Sequence, residues 1–565
     1  MTTDTIPTTQ HAVQLTGAER LELNSQKPVP TPGPHQILAR VEAVGLCFSD
    51  LKLLKQFDQH ARKGAIVGGV DASVLAEHPS YVPGDKPTVP GHEVACRIVA
   101  VGDRVQHHKV GERCLVQTDY RDLPTAGSNA AFGYNFEGGL QEYVLLDERI
   151  IIDRRGERFL IPVGEQSSAS AVALVEPWAC VEDSYVVQHR RGLTPGGRLL
   201  VVADTDREVK GLDRCIPAQM PPGAVTAVVA TPAQREPAAA LGPALTDAES
   251  ITALPDEGYD DIIYFGSDAA TIEQLNDKLA TRGMINIVLG GGRIGRPVNI
   301  GIGRIHYGLT RWVGTTGDDA AEACRHIPES GEIRKGDRIL VVGAGGPMGQ
   351  MHVIRNICSG LSGLEVVGTD FDDARLESLR IKAEPLARAN NVKLQLLNTA
   401  REAPEGEFNY IALMAPVPDL VAQAIEQSAA DAIINIFAGI PAPVKHQVDL
   451  DACIAKRCFM FGTSGSVIDD MKIVLRKLEG GQLDTNTSID AVSGMAGAAD
   501  GIKAVEQRTL AGKIVVYPML HNLGLIPLSE LPDRFPTVAA KLRNGQWTRE
   551  AEQELLRVAT DEATG

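Results

Sequence analysis

"GDRILVVGAGGPMGQ", Gly336–Gln350, is the stretch that decides how the fold of this chain is interpreted. The apolar run Ile339–Val342 predicts a buried strand, and the glycine-rich segment after it predicts a tight turn that opens into a helix. Glycines in such a turn let the backbone approach a pyrophosphate, and the free N–H groups of the following helix bind its charge. The stretch therefore predicts the first strand, turn and helix of a dinucleotide-binding domain.

The residues around this turn form the predicted cofactor site. The next predicted strand, "LEVVGTD", ends at Asp370, where a carboxylate can accept hydrogen bonds from the ribose hydroxyls. That carboxylate would repel a 2′-phosphate, so NAD is predicted rather than NADP, with Arg375 nearby as the residue that argues for NADP. A second glycine-rich segment, 290–295, follows a late strand and is interpreted as a loop. The predicted cofactor residues are Gly343, Gly345, Gly346, Pro347, Met348, Gly349 and Asp370.

A related pattern lies upstream of this turn. "PGGRLLVV" (195–202) resembles "KGDRILVV" (335–342), and three further pairs follow in the same order at offsets of 148 or 149 residues. Repetition at a fixed offset favours a duplicated domain. The alternative is that parallel α/β sheets in general share valine-rich strands and glycine turns. The first copy continues with "ADTDREVKG", which lacks the glycine turn and places Asp204 and Asp206 where a phosphate would approach. We therefore predict a degenerate copy that binds no dinucleotide.

The pattern of predicted elements changes along the 565 residues. Short strands separated by Gly and Pro predict an all-β, barrel-like unit at the N-terminal end. Alternating apolar strands and helices then predict parallel α/β sheets, and the C-terminal tail predicts helices. We expect an α/β protein with four regions: a barrel-like unit at 1–190, a degenerate α/β copy at 191–325, a cofactor-binding copy at 326–520, and a helical tail at 521–565.

The composition excludes several classes of protein. A net charge of -17 argues against a general nucleic-acid binder, because attraction to phosphates needs a basic face. No apolar run is long enough to cross a bilayer, and the N-terminus has neither the basic start nor the apolar core of a secretory signal. The nine cysteines are scattered singly, which suits a reducing compartment. We expect a cytoplasmic protein that acts on a small molecule.

Four residues in three motifs are candidate metal ligands. Cys47 lies in "GLCFSD", His92 and Glu93 lie in "VPGHE", and Glu176 lies in "LVEP". Thiolate, imidazole and carboxylate are a suitable set for zinc, and a catalytic zinc site leaves one position open for water or substrate. Each motif alone is more often structural, because a single cysteine in a Gly-Leu-Cys turn is usually packed and "GHE" is often only a turn. Their order and spacing favour a shared site.

These motifs resemble those of the zinc-dependent medium-chain alcohol and polyol dehydrogenases. The resemblance also rests on "GGLQEYVLL", on "AGKIVVYP" and on the residues around "VPGHEVACRIVAVG", and it covers Gln14 to about Glu182 and Gly336 to Pro518. It implies a GroES-like β-barrel catalytic domain and a Rossmann dinucleotide-binding domain, with zinc in the cleft between them. The degenerate Rossmann-like copy would be an insertion before the cofactor-binding one.

The resemblance also implies a role for each candidate residue. Cys47 and His92 match the family's zinc ligands, and Glu93 matches a direct or nearby ligand. Glu176 matches the carboxylate that replaces a cysteine in the polyol-dehydrogenase branch. Ser49 matches the hydroxyl that relays a proton from the zinc-bound alcohol. The implied catalytic residues are therefore Ser49, Cys47, His92 and Glu93, and the implied metal ligands are Cys47, His92, Glu93 and Glu176.

The sequence departs from the family pattern at two places. The gap between Cys47 and His92 is longer than the family pattern, so residues near 57–86 are interpreted as an insertion at the mouth of the cleft. The segment 117–134, where the family carries a four-cysteine structural zinc lobe, contains no cysteine. We predict one catalytic zinc ion per chain and no structural zinc. The basic residues Lys52, Lys55, Arg62 and Lys63 either form a solvated face, which is favoured, or bind a substrate phosphate.

The resemblance implies a zinc-dependent oxidoreductase that transfers a hydride between a secondary alcohol, either a polyol or a sugar phosphate, and NAD. One alternative is a zinc-independent quinone or enone reductase of the same superfamily, in which the ligand residues would be vestigial. Another is a non-catalytic, cofactor-sensing protein, which the degenerate copy suggests. We expect no nucleic-acid or membrane partner. A homo-oligomer is compatible with the sequence, and an intrachain pseudo-dimer of the two Rossmann domains is expected.

Overall fold

The computed structural model describes residues 6–562 apart from 218, 219, 243 and 464. The chain forms two compact units. The first unit comprises Met1–Glu182 and Ser466–Gly565, and the second comprises Asp183–Gly465. The first unit is therefore built from the two ends of the chain, and the second from its middle.

An eight-stranded, mostly antiparallel sheet organises the first unit. Its central strand, Gln36–Gly45, is buried along most of its length because apolar residues occupy both faces. Tyr143–Asp147 pairs with this strand outside the main path of the sheet. Along that path the neighbouring strands are Ile526–Pro527, Ile489–Ser493, Lys513–Val516, Gln36–Gly45, Glu93–Val101, Arg113–Val116 and Leu160–Pro162. Two hairpins complete the strands of this unit: Thr9–Gly17 with Arg20–Pro28, and Asp119–Pro124 with Asn129–Ala131.

Short helices pack around this sheet. The C-terminal helix is held by Glu552, a buried carboxylate that accepts hydrogen bonds from Ala169 N at 2.6 Å, Ser170 N at 2.8 Å and Tyr517 Oη at 3.0 Å. A carboxylate beside the free N–H groups at a helix start is stabilised by charge and by hydrogen bonding. The helices are Phe48–Gln56, Ala72–Ala76, Ala169–Ala173, Val175–Val186 (which runs into the second unit), Ile468–Glu479, Ala498–Gln507, Leu531–Arg534, Pro536–Ala539 and Arg549–Glu562.

The expected region boundaries at 326–520 and 521–565 are wrong. Ile489–Ser493 and Lys513–Val516 belong to the sheet of the first unit, where Val515 pairs with Gly45 and Val516 with Val44. The chain therefore returns to the first unit near Ser466. The sequence misled because an apolar run such as "KIVVY" predicts a buried strand without saying which sheet it joins. The helical tail is likewise part of the first unit.

The second unit contains two separate six-stranded parallel sheets. Numbered along the chain, the strands of each sheet lie in the order third, second, first, fourth, fifth, sixth, which is the doubly wound Rossmann order. In that order the first sheet contains Leu245–Asp247, Ala224–Val228, Arg198–Ala203, Tyr259–Phe265, Leu279–Val288 and Arg311–Thr315. The second contains Lys393–Asn398, Glu365–Asp370, Arg338–Val342, Phe408–Leu413, Ser428–Ile436 and Phe459–Phe461.

The two sheets differ after their first strands. In the second sheet, Arg338–Val342 leads into the helix Pro347–Ile357. In the first sheet, the described residues between Arg198–Ala203 and Ala224–Val228 include the 3₁₀ turn Asp213–Cys215 and no α-helix. The helices of this unit are Pro232–Ala239, Ala269–Lys278, Ile302–Tyr307, Ala320–His326, Pro347–Ile357, Asp373–Ala389, Asp419–Glu426 and Leu450–Ala455.

The two parallel sheets share a core and a strand pair. Val298–Ile300 pairs antiparallel with His446–Val448, so the backbone joins the two halves of the unit directly. One cluster of buried side chains includes Trp312 from the edge strand of the first sheet and Met460 from the edge strand of the second. Within the described residues, no helix combines the length and apolar character that a bilayer crossing requires.

Candidate functional site

Three candidate ligands converge in the first unit. Cys47 Sγ, a ring nitrogen of His92 and a carboxylate oxygen of Glu93 all lie within 4.8 Å of one another. Cys47 precedes the helix Phe48–Gln56, and Glu93 begins the strand Glu93–Val101. The site thus lies at the start of a helix and the start of a strand, and Ser49 lies partly exposed in the first turn of that helix.

Asp50 fixes the geometry of this cluster. Its buried carboxylate accepts hydrogen bonds from Cys47 N at 2.9 Å and Gly91 N at 3.2 Å, and it lies 3.1 Å from His92 Nδ1. Burial opposes ionisation, but the His92 ring and the backbone donor outweigh it and lower the pKa of Asp50. A carboxylate on Nδ1 leaves Nε2 of the imidazole for a metal and sets the ring orientation.

Glu93 pairs with a lysine through one carboxylate oxygen and leaves the other without a hydrogen-bond partner. The side chain is fully buried, with Oε1 2.6 Å from Lys513 Nζ, which also donates to Leu46 O at 2.6 Å. Glu93 Oε2 is buried without a hydrogen-bond partner. An ionised oxygen in that state is costly unless a charge compensates it. A Cβ on Gly45 would lie 2.0 Å from Oε2, so this glycine leaves room for the carboxylate.

Glu176 lies beside the cluster but is not one of its three closely grouped ligands. It is buried in the helix Val175–Val186. Burial raises the pKa of Glu176 to about 7; the His92 ring opposes that shift and the charge of Glu93 adds to it. A carboxyl group with this pKa is stabilised as an anion when a cation binds nearby. The donors therefore fit zinc: thiolate, imidazole and one carboxylate at hand, with a second carboxylate adjacent.

Most of the basic residues after Cys47 are engaged elsewhere. Lys55 forms an ion pair with Glu506 at 2.6 Å, and Lys63 is buried with its ammonium group donating to Lys86 O at 2.8 Å. Lys52 is exposed and lies 5.9 Å from the ring of Phe48. Lys52 and Lys55 therefore fit the prediction of a solvated basic face, whereas Lys63 has a structural role.

Arg62 is the exception among these basic residues. It pairs with the carboxylate of Asp119 at 2.8 Å, and its guanidinium lies 5.5 Å from the ring of Tyr134. The Tyr134 ring is in turn 5.8 Å from the ring of His92. The segment interpreted as an insertion therefore brings one cation to the neighbourhood of the candidate metal ligands.

The glycine-rich turn in the second unit is shaped for a close approach. Gly343 has a φ of 80°, and a Cβ on Gly349 would lie 2.2 Å from Gly343 O. Gly346 precedes the helix that begins at Pro347, and no side chain caps that helix. A Cβ on Gly346 would have no neighbour closer than 4.0 Å, so its side of the turn is open. This cradle fits a pyrophosphate at the helix N-terminus.

Asp370 ends the second strand of the same sheet and is bonded to the turn. Its Oδ2 accepts from Gly345 N at 3.0 Å, and its Oδ1 accepts from Phe371 N at 2.8 Å and Asp372 N at 3.2 Å. Each carboxylate oxygen has two lone pairs, so the group retains capacity for a ribose hydroxyl. A Cβ on Gly345 would lie 2.7 Å from both Arg375 Cβ and Asp370 Oδ2.

The corresponding place in the first sheet is filled by the protein itself. The carboxylate of Asp204 accepts from Tyr264 Oη at 2.8 Å, and Gln234 Nε2 donates to Asp204 O at 2.8 Å and Arg207 O at 2.7 Å. The glycine-rich segment 290–295 is a loop after the strand Leu279–Val288.

Lys513 is the site residue that sequence reasoning missed. It occurs in "AGKIVVYP", which contributed to the family resemblance without being assigned a role. Its separation from Glu93 is 420 residues, so no local spacing could connect the two. The signal that was available is the single lysine that begins an otherwise apolar, buried strand.

Comparisons with known proteins point to one family. Residues 33–155 match the family model of the alcohol dehydrogenase GroES-like domain. Mannitol-1-phosphate 5-dehydrogenase of Aliivibrio fischeri is 24% identical over 300 residues, which cover 48% of this chain and 69% of the relative. An uncharacterized zinc-type alcohol dehydrogenase-like protein of Escherichia coli, YphC, is 30% identical over 156 residues, which cover 26% of this chain and 40% of that protein.

The structure of this chain also aligns with solved structures. The crystal structure of 2R,3R-butanediol dehydrogenase from Bacillus subtilis aligns with a TM-score of 0.49 at 14% identity, covering 90% of this chain and 100% of that one. The matched GroES-like segment contains Cys47, His92 and Glu93, the three residues that the structure brings together.

Proposed function

We propose that this chain transfers a hydride between a secondary alcohol and NAD with the help of one bound zinc ion. Its similarity to the medium-chain alcohol and polyol dehydrogenases supports an oxidoreductase of the dehydrogenase type. The observation that carries the proposal is the convergence of Cys47 Sγ, a ring nitrogen of His92 and a carboxylate oxygen of Glu93, all within 4.8 Å of one another. Zinc and NAD are the cofactors that this donor set and the glycine-rich turn fit.

The chain's own residues would prepare the site for this reaction. Zinc in such a site acts as a Lewis acid that lowers the pKa of an alcohol and polarises a carbonyl. Asp50 would hold His92 in the tautomer that presents Nε2 to the metal. Lys513 would balance the charge of Glu93, and Ser49, partly exposed beside Cys47, would pass the alcohol proton to solvent. The turn at Gly343–Gly349 would hold the cofactor's pyrophosphate.

We propose a polyol or sugar phosphate as the substrate. The Arg62–Asp119 pair near the His92 ring offers both N–H donors and carboxylate acceptors, the combination that binds vicinal hydroxyls. Arg62 also has the planar fork that recognises phosphate oxygens. The relative named mannitol-1-phosphate 5-dehydrogenase supports the phosphorylated form.

We also propose that the first six-stranded sheet is a degenerate copy of the second. The identical strand order supports duplication, and the missing helix and the Asp204–Tyr264 contact support the loss of dinucleotide binding. The two copies would form a pseudo-dimer within one chain, with one active site. All nine cysteines are free, which suits a reducing compartment, and we propose a cytoplasmic enzyme on that basis.

The experiment that tests the main proposal joins metal analysis to an activity screen. The purified protein should contain one tightly held zinc ion, with none assigned to the segment 117–134. NAD reduction should be measured over polyols, their phosphates and simple alcohols, and the reverse reaction over the corresponding ketoses. Activity that survives complete zinc removal would favour the zinc-independent reductase instead. Absence of both zinc and turnover would favour the cofactor-sensing alternative.

The cofactor preference is expected to depend on Asp370. Replacing Asp370 with Ala removes the negative charge that opposes a 2′-phosphate. We expect the ratio of kcat/KM for NAD to that for NADP to fall roughly tenfold or more, the size of about one or two lost charge-assisted hydrogen bonds. The control is Asp373→Ala, three residues along and exposed at the surface with a partner in Arg401. Equal kcat/KM for the two cofactors in the parent enzyme would contradict the proposal.

Because the two sheets pair within one chain, we expect the stability of the second unit to be independent of protein concentration. Because Val298–Ile300 and His446–Val448 pair within one chain, the core of the second unit needs no partner subunit. Its unfolding midpoint in urea should therefore not change over a hundredfold range of protein concentration. Stability that rises with concentration, as in an obligate dimer, would show that this core is completed between chains.

A further inference from the structure

A second group of metal-ligating side chains lies in the first unit and shares no residue with the Cys47 cluster. His11, Glu142 and His521 each offer a ligand atom, and these atoms lie within 4.8 Å of one another. The residues come from three separate parts of the chain: the strand Thr9–Gly17, the position before the strand Tyr143–Asp147, and the segment that follows Lys513–Val516. No motif in the sequence links them.

The carboxylate of Glu142 lies between the two imidazoles. Oε1 is 2.9 Å from His521 Nε2, and Oε2 is 3.3 Å from His11 Nδ1 and accepts a hydrogen bond from His11 N at 2.6 Å. The two rings are stacked, with centroids 3.8 Å apart and planes 25° from parallel. One nitrogen from each ring therefore points to the same carboxylate group.

These distances are those of neighbouring ligands around a metal. Zinc–nitrogen and zinc–oxygen bonds of about 2.0–2.1 Å at tetrahedral angles separate ligand atoms by roughly 3.4 Å. The two nitrogen–oxygen separations, 2.9 and 3.3 Å, are close to that value, and the stacked rings would tilt apart so that the plane of each contains the ion. Two imidazoles and a carboxylate suit divalent transition ions such as zinc, cobalt, nickel and copper.

The burial pattern also suits a bound ion. Glu142 is buried, with 6% of its side chain exposed, while His11 and His521 expose 27% and 38%. The backbone holds each residue: Glu142 N donates to His11 O, and Ala496 N donates to His521 O. A rigid anion at the base and two accessible imidazoles above it leave the remaining coordination positions open to water.

We propose that His11, Glu142 and His521 bind a divalent transition-metal ion, separate from the proposed catalytic zinc and independent of whether that proposal holds. The ion would cross-link the hairpin strand Thr9–Gly17, the start of the strand Tyr143–Asp147 and the segment that follows Lys513–Val516. Because it binds the folded arrangement and not the unfolded chain, it would stabilise the first unit without taking part in hydride transfer. The affinity is expected to be lower than that of the thiolate-containing cluster, because a thiolate is the stronger ligand for these ions.

Cobalt titration tests the site in the intact protein. The full chain, loaded with zinc and then dialysed free of excess metal, is titrated with Co²⁺ alone and followed by visible absorption. We expect one additional Co²⁺ per chain whose spectrum lacks thiolate-to-metal charge transfer. Thermal unfolding of the same samples should shift upward by several degrees on saturation. Charge-transfer absorption that accounts for all of the bound Co²⁺ would show exchange at Cys47 without a second site, and would overturn the proposal.

Matched variants complete the experiment. His11→Gln with His521→Gln keeps side chains that can hydrogen-bond Glu142 but removes the imidazole ligands, and it should weaken Co²⁺ binding by roughly a hundredfold or more. His107→Gln alters an exposed histidine of the same unit and should leave binding unchanged. Circular dichroism of the samples without added Co²⁺ establishes that each variant is folded. Equal binding by the double variant and the parent, or no saturable binding by the parent, would overturn the proposal and identify the group as a hydrogen-bonded cluster only.

Discussion

Cys47→Ser and His92→Ala should each lower kcat at least about a thousandfold, because Lewis-acid stabilisation of the transition state contributes several kcal/mol. The two side chains contribute the soft thiolate and one ring nitrogen to a cluster whose ligand atoms lie within 4.8 Å of one another. Zinc content should fall together with turnover. Steady-state kinetics and elemental analysis of the same preparations measure both effects.

Two controls separate loss of zinc from loss of structure. His107→Ala removes an exposed histidine of the same unit and should leave turnover and zinc content unchanged. NAD affinity, measured by fluorescence or calorimetry, should persist in all three variants because the glycine-rich turn lies in the second unit. A Cys47→Ser enzyme that keeps more than about a tenth of parental kcat would exclude zinc-dependent chemistry at this cluster.

Lys513→Met should have the second large effect, on the stability of the first unit. Burial opposes the charge of Lys513, but the nearby Glu93 carboxylate raises the pKa of Lys513 above its usual range, so this ammonium group is charged at neutral pH. Removing one partner of a buried ion pair leaves the other uncompensated and costs about 3–5 kcal/mol. We expect that loss in the free energy of unfolding of the zinc-free protein, measured by urea denaturation, with partial recovery when zinc is added.

The matched control is Lys503→Met. Lys503 lies in the helix Ala498–Gln507 and is exposed, so its removal should change stability by less than about 0.5 kcal/mol. Combining Lys513→Met with Glu93→Gln removes both buried charges and should be less destabilised than Lys513→Met alone. If the double variant is less stable than both Lys513→Met and Lys503→Met, the packing around Lys513 contributes more to stability than its charge.

Much of the fold could be predicted because its signals are local. The glycine turn after Ile339–Val342, the carboxylate of Asp370 and the missing glycines after Arg198–Ala203 are each readable within a short window. The pairing of strands across long separations could not be read in this way. The composition of an apolar run predicts that the strand is buried, but it does not predict which strand pairs with it. For this reason Lys513–Val516 was assigned to the wrong sheet.

In the candidate site, too, the residues in local motifs could be predicted and the residues that depend on long-range contacts could not. Cys47, His92 and Glu93 were identified by motif, and the structure brings them together. The supporting residues were not assigned as site residues. Asp50 is hydrogen-bonded to Cys47 and His92, and Lys513 pairs with Glu93, from which it is separated by 420 residues in sequence. These roles depend on tertiary geometry. Glu176 was expected as a ligand and lies outside the tight group.

The discontinuous construction of the first unit has a consequence for how the protein is made. Ribosomes elongate at about 5–20 residues per second, so the 420 residues from Glu93 to Lys513 take roughly 20 to 80 seconds to synthesise. Throughout that interval the nascent chain holds Glu93 without its counter-charge and the strand Gln36–Gly45 without its partner Lys513–Val516. The middle of the chain, Asp183–Gly465, emerges complete in the meantime. The first unit, whose N-terminal part is translated before the second unit, is thus the last to close, and the ion pair of Glu93 with Lys513 forms only near the end of translation.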